Sequence, residues 1–580
     1  SHSRSVLHIT TVTRRASLTP RPITLPARSR TLILKVRDEV SCSADDLNVI
    51  ASQTSHTTMG NWLTLLCGLI VALVATGVAI WQLALSPPSP LPPFAQGAFI
   101  LENVLVISPG SEDHHDDKGQ RRNIAVKDGV IVDVFEGNSE TAPSYSSFTR
   151  INLFKDHWVT PGLIDMHSHL PPANLLKLTR HALFLSLYFG ITSIRDAGDV
   201  DGTAFDAVLQ DTRDGYPVPR VFPCGPFVGG PPARWKNTLL FEKLEDATKI
   251  VKDLKARGFV CLKSYDNLDL DHVSALQYAA KENNDLPVLG HVPFPLRYEH
   301  ALIPDVQHFS GIPDPSKIQD TIVSRMYDWA SVDEARIEEI VKITLDRHLA
   351  NTPTLISNKD ILLFERYHEL AKDPHNIYYR YLPRLFFDVV WNPEAGMIPS
   401  QFFQDLKLIW FLFTGLLVYR NLFRFDRMED ALHKKMQLTK KLFDSGATLF
   451  LGTDTQQPFS VPGLSLLHEI ELFQEADIPL ASLWKMATRD AGTALKTLKG
   501  LGEINSGAPA DLLVWSKNPL HHFDSHSLSE AVIADGKLYL RSQLDEMLKQ
   551  WQDHFRGFIF DKVSTFLAGV MIKLISTSSQ

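Results

Sequence analysis

Between residues 159 and 500, short runs rich in β-branched residues alternate with segments that have the period of helices. This alternation is typical of parallel strands, because each parallel pair needs a crossover connection. Eight strand candidates occur, which is the number that a (β/α)₈ barrel requires. We therefore predict an α/β fold with a TIM-like barrel. The candidates are residues 159–170, 191–195, 220–224, 259–263, 287–291, 305–308, 350–355 and 448–454.

The two regions that flank the barrel share a pattern of short alternating strands and tight turns. Residues 97–158 include the alternating run Phe99 to Ile107, and residues 501–541 include Ala531 to Leu540. Strand-turn-strand patterns of this kind indicate a small β layer. We predict that both flanks build one small β-sandwich domain, with the barrel at residues 159–500 inserted between them.

The N-terminal segment differs from the rest of the chain. Residues 1–58 are rich in Ser, Thr and Arg and show no sustained period, so we interpret them as a disordered or non-native leader. Residues 62–85 carry no charged side chain. A run of this length can span a hydrocarbon core of about 30 Å. We expect a transmembrane signal-anchor at 60–85 and a Pro-rich linker at 86–96, with a buried helix as the alternative to the anchor.

This interpretation predicts a single-pass membrane protein. The side of the membrane on which the barrel lies stays open, because Lys and Arg lie far from the segment. Two other apolar regions are notable. An aromatic-rich insertion at about 356–435 either lies against the membrane and caps the barrel or forms an extra helical layer. Residues 542–580 predict amphipathic helices that bind the membrane or a partner subunit, such as a second copy of the chain.

Composition narrows the classes of partner and of metal site. The net charge of -8 and the pI near 6.3 argue against a nucleic-acid partner. None of the four cysteines forms a C-x-x-C pair, so we expect neither a disulfide framework nor a thiolate zinc site. A metal ion would therefore be held by histidine, carboxylate or a modified side chain.

Side chains with metal-binding chemistry stand where the predicted strands end. The strands end at His167 and His169, Lys263, His291, His308 and Asp454. His167 and His169 are two residues apart, so they point to the same face of a strand. Neutral imidazole binds zinc and neighbouring cations. Because the chemistry of (β/α)₈ barrels collects at the carboxyl ends of the strands, we predict one metal site there.

The chain resembles the amidohydrolase superfamily, in the branch of imidazolonepropionase-like enzymes and Xaa-Pro dipeptidases, over residues of about 97–540. The order and spacing of the motifs together carry the resemblance. These motifs are Thr160-Pro-Gly-Leu-Ile-Asp-Met-His-Ser-His169, Leu262-Lys-Ser-Tyr265, Leu289-Gly-His291, Val306-Gln-His308, Leu451-Gly-Thr-Asp454, and Gly502-Glu-Ile-Asn-Ser-Gly-Ala-Pro-Ala-Asp511 with Asn518-Pro519.

The resemblance implies a role for each candidate ligand. The two histidines of the first motif and Asp454 would hold the more buried of two divalent ions, with zinc as the expected metal. His291 and His308 would hold the more exposed ion, and Lys263 would bridge both as a CO₂-derived carbamate. An unmodified Lys263 would instead leave a site for a single ion. Asp454 would be the catalytic residue that accepts the proton of a metal-bound hydroxide and passes it to the leaving amine.

Substrate contacts are predicted on weaker signals. Tyr265 lies on the same face as Lys263, and the resemblance implies that it contacts a substrate carboxylate, with a packed tyrosine as the alternative. Arg297 is a candidate to bind an anion, and so are Arg195 and Arg234.

Together these features predict a metal-dependent hydrolase of an amide bond in a small molecule. A dipeptide ending in proline is the leading substrate, and a cyclic or N-acyl amide is a further candidate. A lactone or an organophosphate triester is the alternative electrophile for the same metal site. A catalytically silent, membrane-anchored scaffold is the alternative of another class, and the full set of ligand types disfavours it.

Overall fold

The computed structural model describes residues 67–77, 85–109, 118–137, 145–173, 176–301, 303–393, 425–558 and 560–566. Residues 1–80 form a separate unit, in which 67–77 are helical and expose apolar side chains such as Leu69 and Val71. In the described part of the chain, no helix has the length and apolar character needed to cross a bilayer. The leader at 1–58 lies outside the described residues, as does most of the predicted anchor at 60–85.

The second unit, residues 81–580, contains all the strands and the longer helices of the described chain. The strands are β1 (Ala98–Val106), β2 (Gln120–Lys127), β3 (Val130–Phe135), β4 (Thr149–Ile151), β5 (Trp158–Pro161), β6 (Leu163–Ser168), β7 (Ile191–Asp196), β8 (Arg220–Pro223), β9 (Phe227–Gly229), β10 (Thr238–Leu240), β11 (Leu262–Ser264), β12 (Val288–Gly290), β13 (Asp305–Gln307), β14 (Ala350–Thr352), β15 (Thr448–Leu449), β16 (Leu512–Trp515), β17 (Ala531–Ala534) and β18 (Lys537–Leu540).

Helices connect the strands of the barrel and cover its outside. They are α1 (Leu178–Tyr188), α2 (Ala204–Arg213), α3 (Ala247–Ala256), α4 (Leu270–Glu282), α5 (Tyr298–Ala301), α6 (Ile322–Tyr327), α7 (Glu334–Asp346), α8 (Leu355–Leu362), α9 (Tyr367–Lys372), α10 (Tyr378–Tyr381), α11 (Phe425–Asp444), α12 (Leu464–Glu475), α13 (Leu480–Lys485), α14 (Ala491–Leu495) and α15 (Arg541–Arg556).

The strands β6, β7, β8 and β11 to β15 run parallel and form a closed ring. Strands β6 to β8 pair in sequence, and so do β11 to β15. Two backbone hydrogen bonds join these sheets: the N–H of Val260 donates to Pro223 O at 3.0 Å, and that of Met166 donates to Leu451 O at 3.0 Å. The α/β fold with a TIM-like arrangement of eight parallel strands is therefore present, and it directs all the carboxyl ends to one face.

The two flanks of the barrel meet in one sheet. Its strand order is β18-β17-β16-β5-β1-β2-β3, and β4 pairs with β1. The N–H of Gly507, just before β16, donates to Ile131 O of β3 at 2.7 Å, so the sheet curls back on itself. The curled sheet encloses an apolar core that includes Phe99, Val126 and Leu512. The predicted sandwich of two sheets is thus a single sheet folded around its own core.

The first predicted strand, residues 159–170, is divided at Gly162. Strand β5 ends at Pro161 and belongs to the small sheet, whereas β6 begins at Leu163 and belongs to the barrel. A Cβ at Gly162 would collide with the side chain of Thr192. Glycine therefore permits the close approach at which the chain passes from one sheet to the other.

A disulfide that we did not expect joins Cys224 to Cys261. Cys224 follows β8 and Cys261 precedes β11, which are neighbours in the ring, and 37 residues separate the two in sequence. The expectation of no disulfide framework was based on the sequence spacing of cysteines. That spacing does not reveal which strands become neighbours, so this single bridge was missed.

The described part of the insertion forms an added helical layer. Tyr378, Phe387 and Trp391 pack together with Phe459, and their ring centroids are 5.1 to 5.9 Å apart. The apolar run 408–419 lies outside the described residues. At the C-terminus, α15 turns its apolar face onto α1, where Trp551 contacts His181. Residues 567–580 also lie outside the described residues.

Candidate active site

All the predicted ligands stand at the carboxyl ends of barrel strands. His167 lies in β6 and Lys263 in β11, while the others directly follow their strands or occupy the loop after β15. His167 and Lys263 are fully buried, and His308 and Asp454 are each 3% exposed. Such burial of ionisable groups is costly unless they pair with each other or bind an ion.

Three potential ligand atoms converge at the carboxyl ends of β6 and β15. Asp454 Oδ1 lies 3.2 Å from His167 Nε2 and 3.3 Å from His169 Nε2, and the two imidazole nitrogens are 3.3 Å apart. His169 Nδ1 is 2.8 Å from the carbonyl oxygen of Gly198. A carbonyl oxygen only accepts hydrogen bonds, so this contact selects the tautomer with the proton on Nδ1 and the lone pair on Nε2. Two imidazole nitrogens and a carboxylate oxygen facing each other fit a divalent cation.

The two remaining histidines extend this group toward the neighbouring strands. The ring of His308 lies 4.7 Å from that of His167 and 4.9 Å from that of His291, measured between centroids. The ligand atoms of His167, His308 and Asp454 all lie within 4.8 Å of one another. His308 Nδ1 is 2.6 Å from Thr354 Oγ1, which fixes the orientation of the imidazole. Sequence analysis missed Thr354.

Protonation states in the cluster favour metal binding. Burial lowers the pKa of His167 and of His308 well below the usual value, and it lowers that of His291 to about 4. These imidazoles are therefore neutral at pH 7, which is the form that binds metal. Burial opposes ionisation of Asp454, but the surrounding imidazoles, His308 first, hold the pKa of its carboxyl well below its usual range.

Lys263 lies in the interior of the ring, and among the described residues Gln307 is its one hydrogen-bond partner. Its Nζ donates a hydrogen bond to Gln307 Oε1, and it lies 5.8 Å from the centroid of the Tyr265 ring. Burial lowers the pKa of Lys263 to about 7, although the charge of Asp454 acts in the opposite direction. A substantial fraction of neutral amine is therefore present near pH 7. Sequence analysis missed Gln307, whose only signal is its place beside His308.

Hydrogen bonds from neighbouring side chains hold the cluster of histidines and Asp454 in place. Asp165 is buried in β6, and its carboxylate accepts hydrogen bonds from the N–H of His167 at 3.1 Å and from Thr453 Oγ1 at 2.7 Å. It thus ties β6, which carries His167, to the loop that carries Asp454. Both Asp454 and His308 adopt positive φ angles, 56° and 61°. Left-handed backbone at non-glycine residues is strained and is often found at functional sites.

A cationic patch lies beside His291. Asp266 accepts hydrogen bonds from Arg234 Nε at 2.7 Å and from Arg325 Nη1 at 3.2 Å, and its Oδ1 lies 3.7 Å from His291 Nδ1. The side chain of Arg234 is 23% exposed and that of Arg325 is 15% exposed. Arg325 also lies 3.5 Å from Asp320, so two guanidinium groups face two carboxylates, and their partly exposed N–H groups are donors that an anionic group of a ligand could use. Sequence analysis missed Asp266 and Arg325.

Tyr265 joins this patch to the histidines. Its ring lies 4.5 Å from that of His291, and its hydroxyl accepts a hydrogen bond from Trp235 Nε1 at 3.1 Å. Burial raises the pKa of Tyr265, so the hydroxyl keeps its proton and can donate it in a hydrogen bond.

Of the three predicted arginines, Arg297 and Arg195 pair with carboxylates outside the cluster of predicted ligands. Arg297 pairs with Glu299 at 2.7 Å and lies 3.8 Å from Asp314, away from the cluster's described contacts. Arg195 is buried and bonds to Asp305 at 2.5 Å, so its charge is already neutralised by a barrel residue. Arg234 is the member of this set that reaches the site.

Comparison with known proteins agrees with this architecture. Residues 415–539 match the model of the amidohydrolase family. The fold is similar to a bottromycin amidohydrolase, with 19% identity, a TM-score of 0.55 and coverage of 83% of this chain and 93% of the other.

Two further solved structures are similar in fold. One is a Xaa-Pro dipeptidase with methionine bound in its active site, with 16% identity, a TM-score of 0.52 and coverage of 77% and 100% of the two chains. The other is a prolidase in complex with N-methylphosphonate-L-proline, with 17% identity, a TM-score of 0.51 and coverage of 77% and 100%. No curated protein sequence matches the chain.

Proposed function

We propose that this chain is an amidohydrolase that hydrolyses an amide bond of a small substrate, with a dipeptide ending in proline as the leading candidate. The observation that carries the proposal is the convergence of His167 Nε2, His169 Nε2 and Asp454 Oδ1 within 3.3 Å of one another. The similar prolidase fold favours the proline dipeptide as substrate.

The donor set suits one or two zinc ions. His167, His169 and Asp454 would hold one ion, and His291 with His308 would hold a second. Bound zinc would supply an activated water as nucleophile and would polarise the scissile carbonyl.

Lys263 would complete a two-ion site as a carbamate. The neutral amine attacks the carbon of CO₂, one proton leaves Nζ for solvent, and an anionic two-oxygen group results. The low pKa of Lys263, about 7, supports this modification because only the unprotonated amine reacts. Gln307 Oε1, which accepts from Nζ, would keep the modified side chain in line with the histidines.

Asp454 would move the proton of the reaction. Its carboxylate stands between the imidazoles of His167 and His169 and is ionised, so it can accept the proton of the attacking water. The same oxygen then hands the proton to the amide nitrogen as the C–N bond breaks. Asp165, which holds the loop of Asp454 through Thr453, would keep the carboxylate in reach.

The patch around Asp266 would bind the carboxylate of the leaving group. The hydroxyl of Tyr265 and the guanidinium groups of Arg234 and Arg325 are the donors on this side, and Trp235 orients the hydroxyl. A proline carboxylate held there would place the preceding amide near the histidines. Arg297, predicted to bind an anion, is not needed for this arrangement.

The test combines metal analysis with a substrate panel on the full-length protein. We expect at least one equivalent of bound divalent metal in the wild type, and hydrolysis of Xaa-Pro dipeptides. His167→Ala should lose metal and activity, whereas His522→Ala, at an exposed histidine, should keep both. Wild type with no bound metal, or turnover of lactones or phosphotriesters without turnover of any amide, would contradict the proposal.

A further inference from the structure

A buried lysine on α11 has no counter-ion in the described part of the chain. Lys435 is fully buried, and its Nζ donates one hydrogen bond, to Asn358 Oδ1 at 2.9 Å. The rings of Trp329 and Tyr327 lie 5.5 and 5.9 Å from Nζ. Among the described residues, no carboxylate comes within 4.0 Å of this ammonium group. Protonation of a buried amine without an anion nearby is costly, so an anionic ligand would stabilise the charged form of Lys435.

Two further donors beside Lys435 lack acceptors. Asn358 Nδ2 and Trp329 Nε1 are buried and, in the part of the chain that the structure describes, neither has a hydrogen-bond partner. The amide of Asn358 cannot be turned around, because its oxygen already accepts from the lysine. Asn358 and Trp329, which both lie near the Lys435 amine, thus each carry an unused N–H group. A carboxylate is the group that accepts several such donors and also neutralises the charge.

This donor cluster lies close to the metal ligands in the chain and in space. Helix α8, which carries Asn358, begins directly after Thr354, and the hydroxyl of Thr354 contacts His308. Burial lowers the pKa of Lys435 to about 7, and the charge of Asp454 is the first of the effects that oppose this shift. The field of the catalytic carboxylate therefore reaches the lysine.

The cluster and the Tyr265 patch follow different strands of the ring, and His308 follows a strand between them. The order of neighbouring strands is β11, β12, β13, β14, β15. Tyr265 follows β11, Asn358 lies on the helix after β14, and His308, between them, follows β13. A substrate whose leaving group occupies the Tyr265 side would therefore direct its acyl group toward Lys435.

We propose that Lys435 and Asn358 bind a carboxylate on the acyl side of the scissile amide, so that the enzyme prefers acidic substrates such as dipeptides with glutamate before proline. This inference rests on the proposed amide hydrolysis and names its substrate class. Lys435 and Asn358 would position the substrate, whereas the residues of the proposed metal site would contact the reacting atoms.

The test compares Glu-Pro with Gln-Pro, which differ by one charge at nearly equal shape. For the zinc-loaded full-length wild type we expect kcat/KM to be about tenfold higher or more for Glu-Pro. Lys435→Met should remove this preference by raising KM for Glu-Pro, with little change for Gln-Pro. Lys440→Met, at a lysine on the same helix that pairs with Asp444 on the surface, should behave like the wild type.

Two variants separate a binding role from a structural one. Asn358→Asp supplies an internal carboxylate to Lys435, so it should raise the melting temperature and also remove the preference for Glu-Pro. Lys435→Met should keep or raise the melting temperature, since it removes a buried charge. Loss of folding in Lys435→Met, or an unchanged preference in both variants, would overturn the inference.

A binding measurement separates failure of this inference from failure of the proposed function. If the zinc-loaded wild type hydrolyses no dipeptide, the proposed function fails, and calorimetric titration with glutarate still tests the carboxylate site. Binding to the wild type that Lys435→Met removes and Lys440→Met retains would support the site. Equal binding to all three proteins, or binding to none, would overturn it.

Discussion

The small curled sheet and the mouth of the barrel are both buried, but with opposite chemistry. The sheet encloses apolar side chains such as Leu101, Ile124 and Ile533, all fully buried. The mouth of the barrel buries His167 and Lys263 to the same extent. Removal of apolar surface from water stabilises the first region, whereas desolvation of charge destabilises the second.

The comparison indicates that the apolar core of the sheet contributes to the stability of the fold, whereas the ionisable residues at the barrel mouth serve the proposed reaction. A buried ionisable group persists only when a ligand, a partner or a function compensates for its cost. Substitutions in the sheet should therefore lower stability and leave catalysis intact. Substitutions at the mouth should lower catalysis and affect stability less.

The largest effect is expected at Asp454. Asp454→Ala removes a carboxylate that both contacts His167 and His169 and accepts the proton in the proposed reaction. We expect kcat for the amide substrate to fall by on the order of 10³-fold or more. The check is steady-state kinetics together with metal analysis, with Asp444→Asn on the surface as the control. Activity within tenfold of the wild type would remove Asp454 from the mechanism.

The matching substitution in the small sheet is Leu101→Ala. Leu101 is fully buried in β1, so the change leaves a cavity and should cost about 2–5 kcal/mol of unfolding free energy. We expect kcat of the folded fraction to stay within about twofold of the wild type. Urea unfolding followed by kinetics well below the transition measures both. A large loss of kcat with unchanged stability would reverse the division of roles.

A smaller effect is expected at Tyr265. Tyr265→Phe removes only the hydroxyl that Trp235 orients, and should raise KM for a proline dipeptide about tenfold with little change in kcat. Proline amide as leaving group, which lacks the carboxylate, should show no such difference. Equal changes for both leaving groups would mean that the hydroxyl serves packing alone.

The smallest effect concerns His181, a buried ionisable group away from the cluster. Burial against α15 lowers its pKa from 6.5 to about 3. Because the folded-state pKa is depressed, the neutral imidazole stabilises the fold fully above pH 6.5, and this contribution is lost as pH falls toward 3.

As pH decreases, the free energy of unfolding should therefore fall less for His181→Leu than for the wild type. At pH 7.5 we expect the two proteins to have similar stability. Urea unfolding at pH 7.5, 6.0 and 5.0 measures the trend. A constant difference between the two proteins across this range would show that His181 does not titrate on unfolding.

Sequence patterns predicted the parts of the fold that depend on local periodicity. Strands β7 and β8, predicted at 191–195 and 220–224, both end within one residue of the predicted position. Strand β15, Thr448–Leu449, is only two residues long, so its predicted end at residue 454 was too late. The apolar run continues through Phe450 and Leu451 beyond the end of the strand, and Asp454 lies in the loop that follows.

Contacts between distant segments were beyond the reach of sequence periodicity. The bridge between Cys224 and Cys261, and the meeting of Asp266 with Arg234 and Arg325, arise only when the strands are neighbours. Lys435 is a comparable case. On the sequence it is one of several lysines in an amphipathic helix, and nothing local distinguishes it from Lys440.

The sequence by itself determined the α/β alternation, the chemical types of the six candidate ligands and their order at strand ends, because each depends on residue identity and short spacing. Only the tertiary structure decided that His167 Nε2, His169 Nε2 and Asp454 Oδ1 lie within 3.3 Å of one another, and that Lys435 is buried without a carboxylate among the described residues. The reason is physical: ligand geometry and desolvation depend on side chains that are close in space and far apart along the chain.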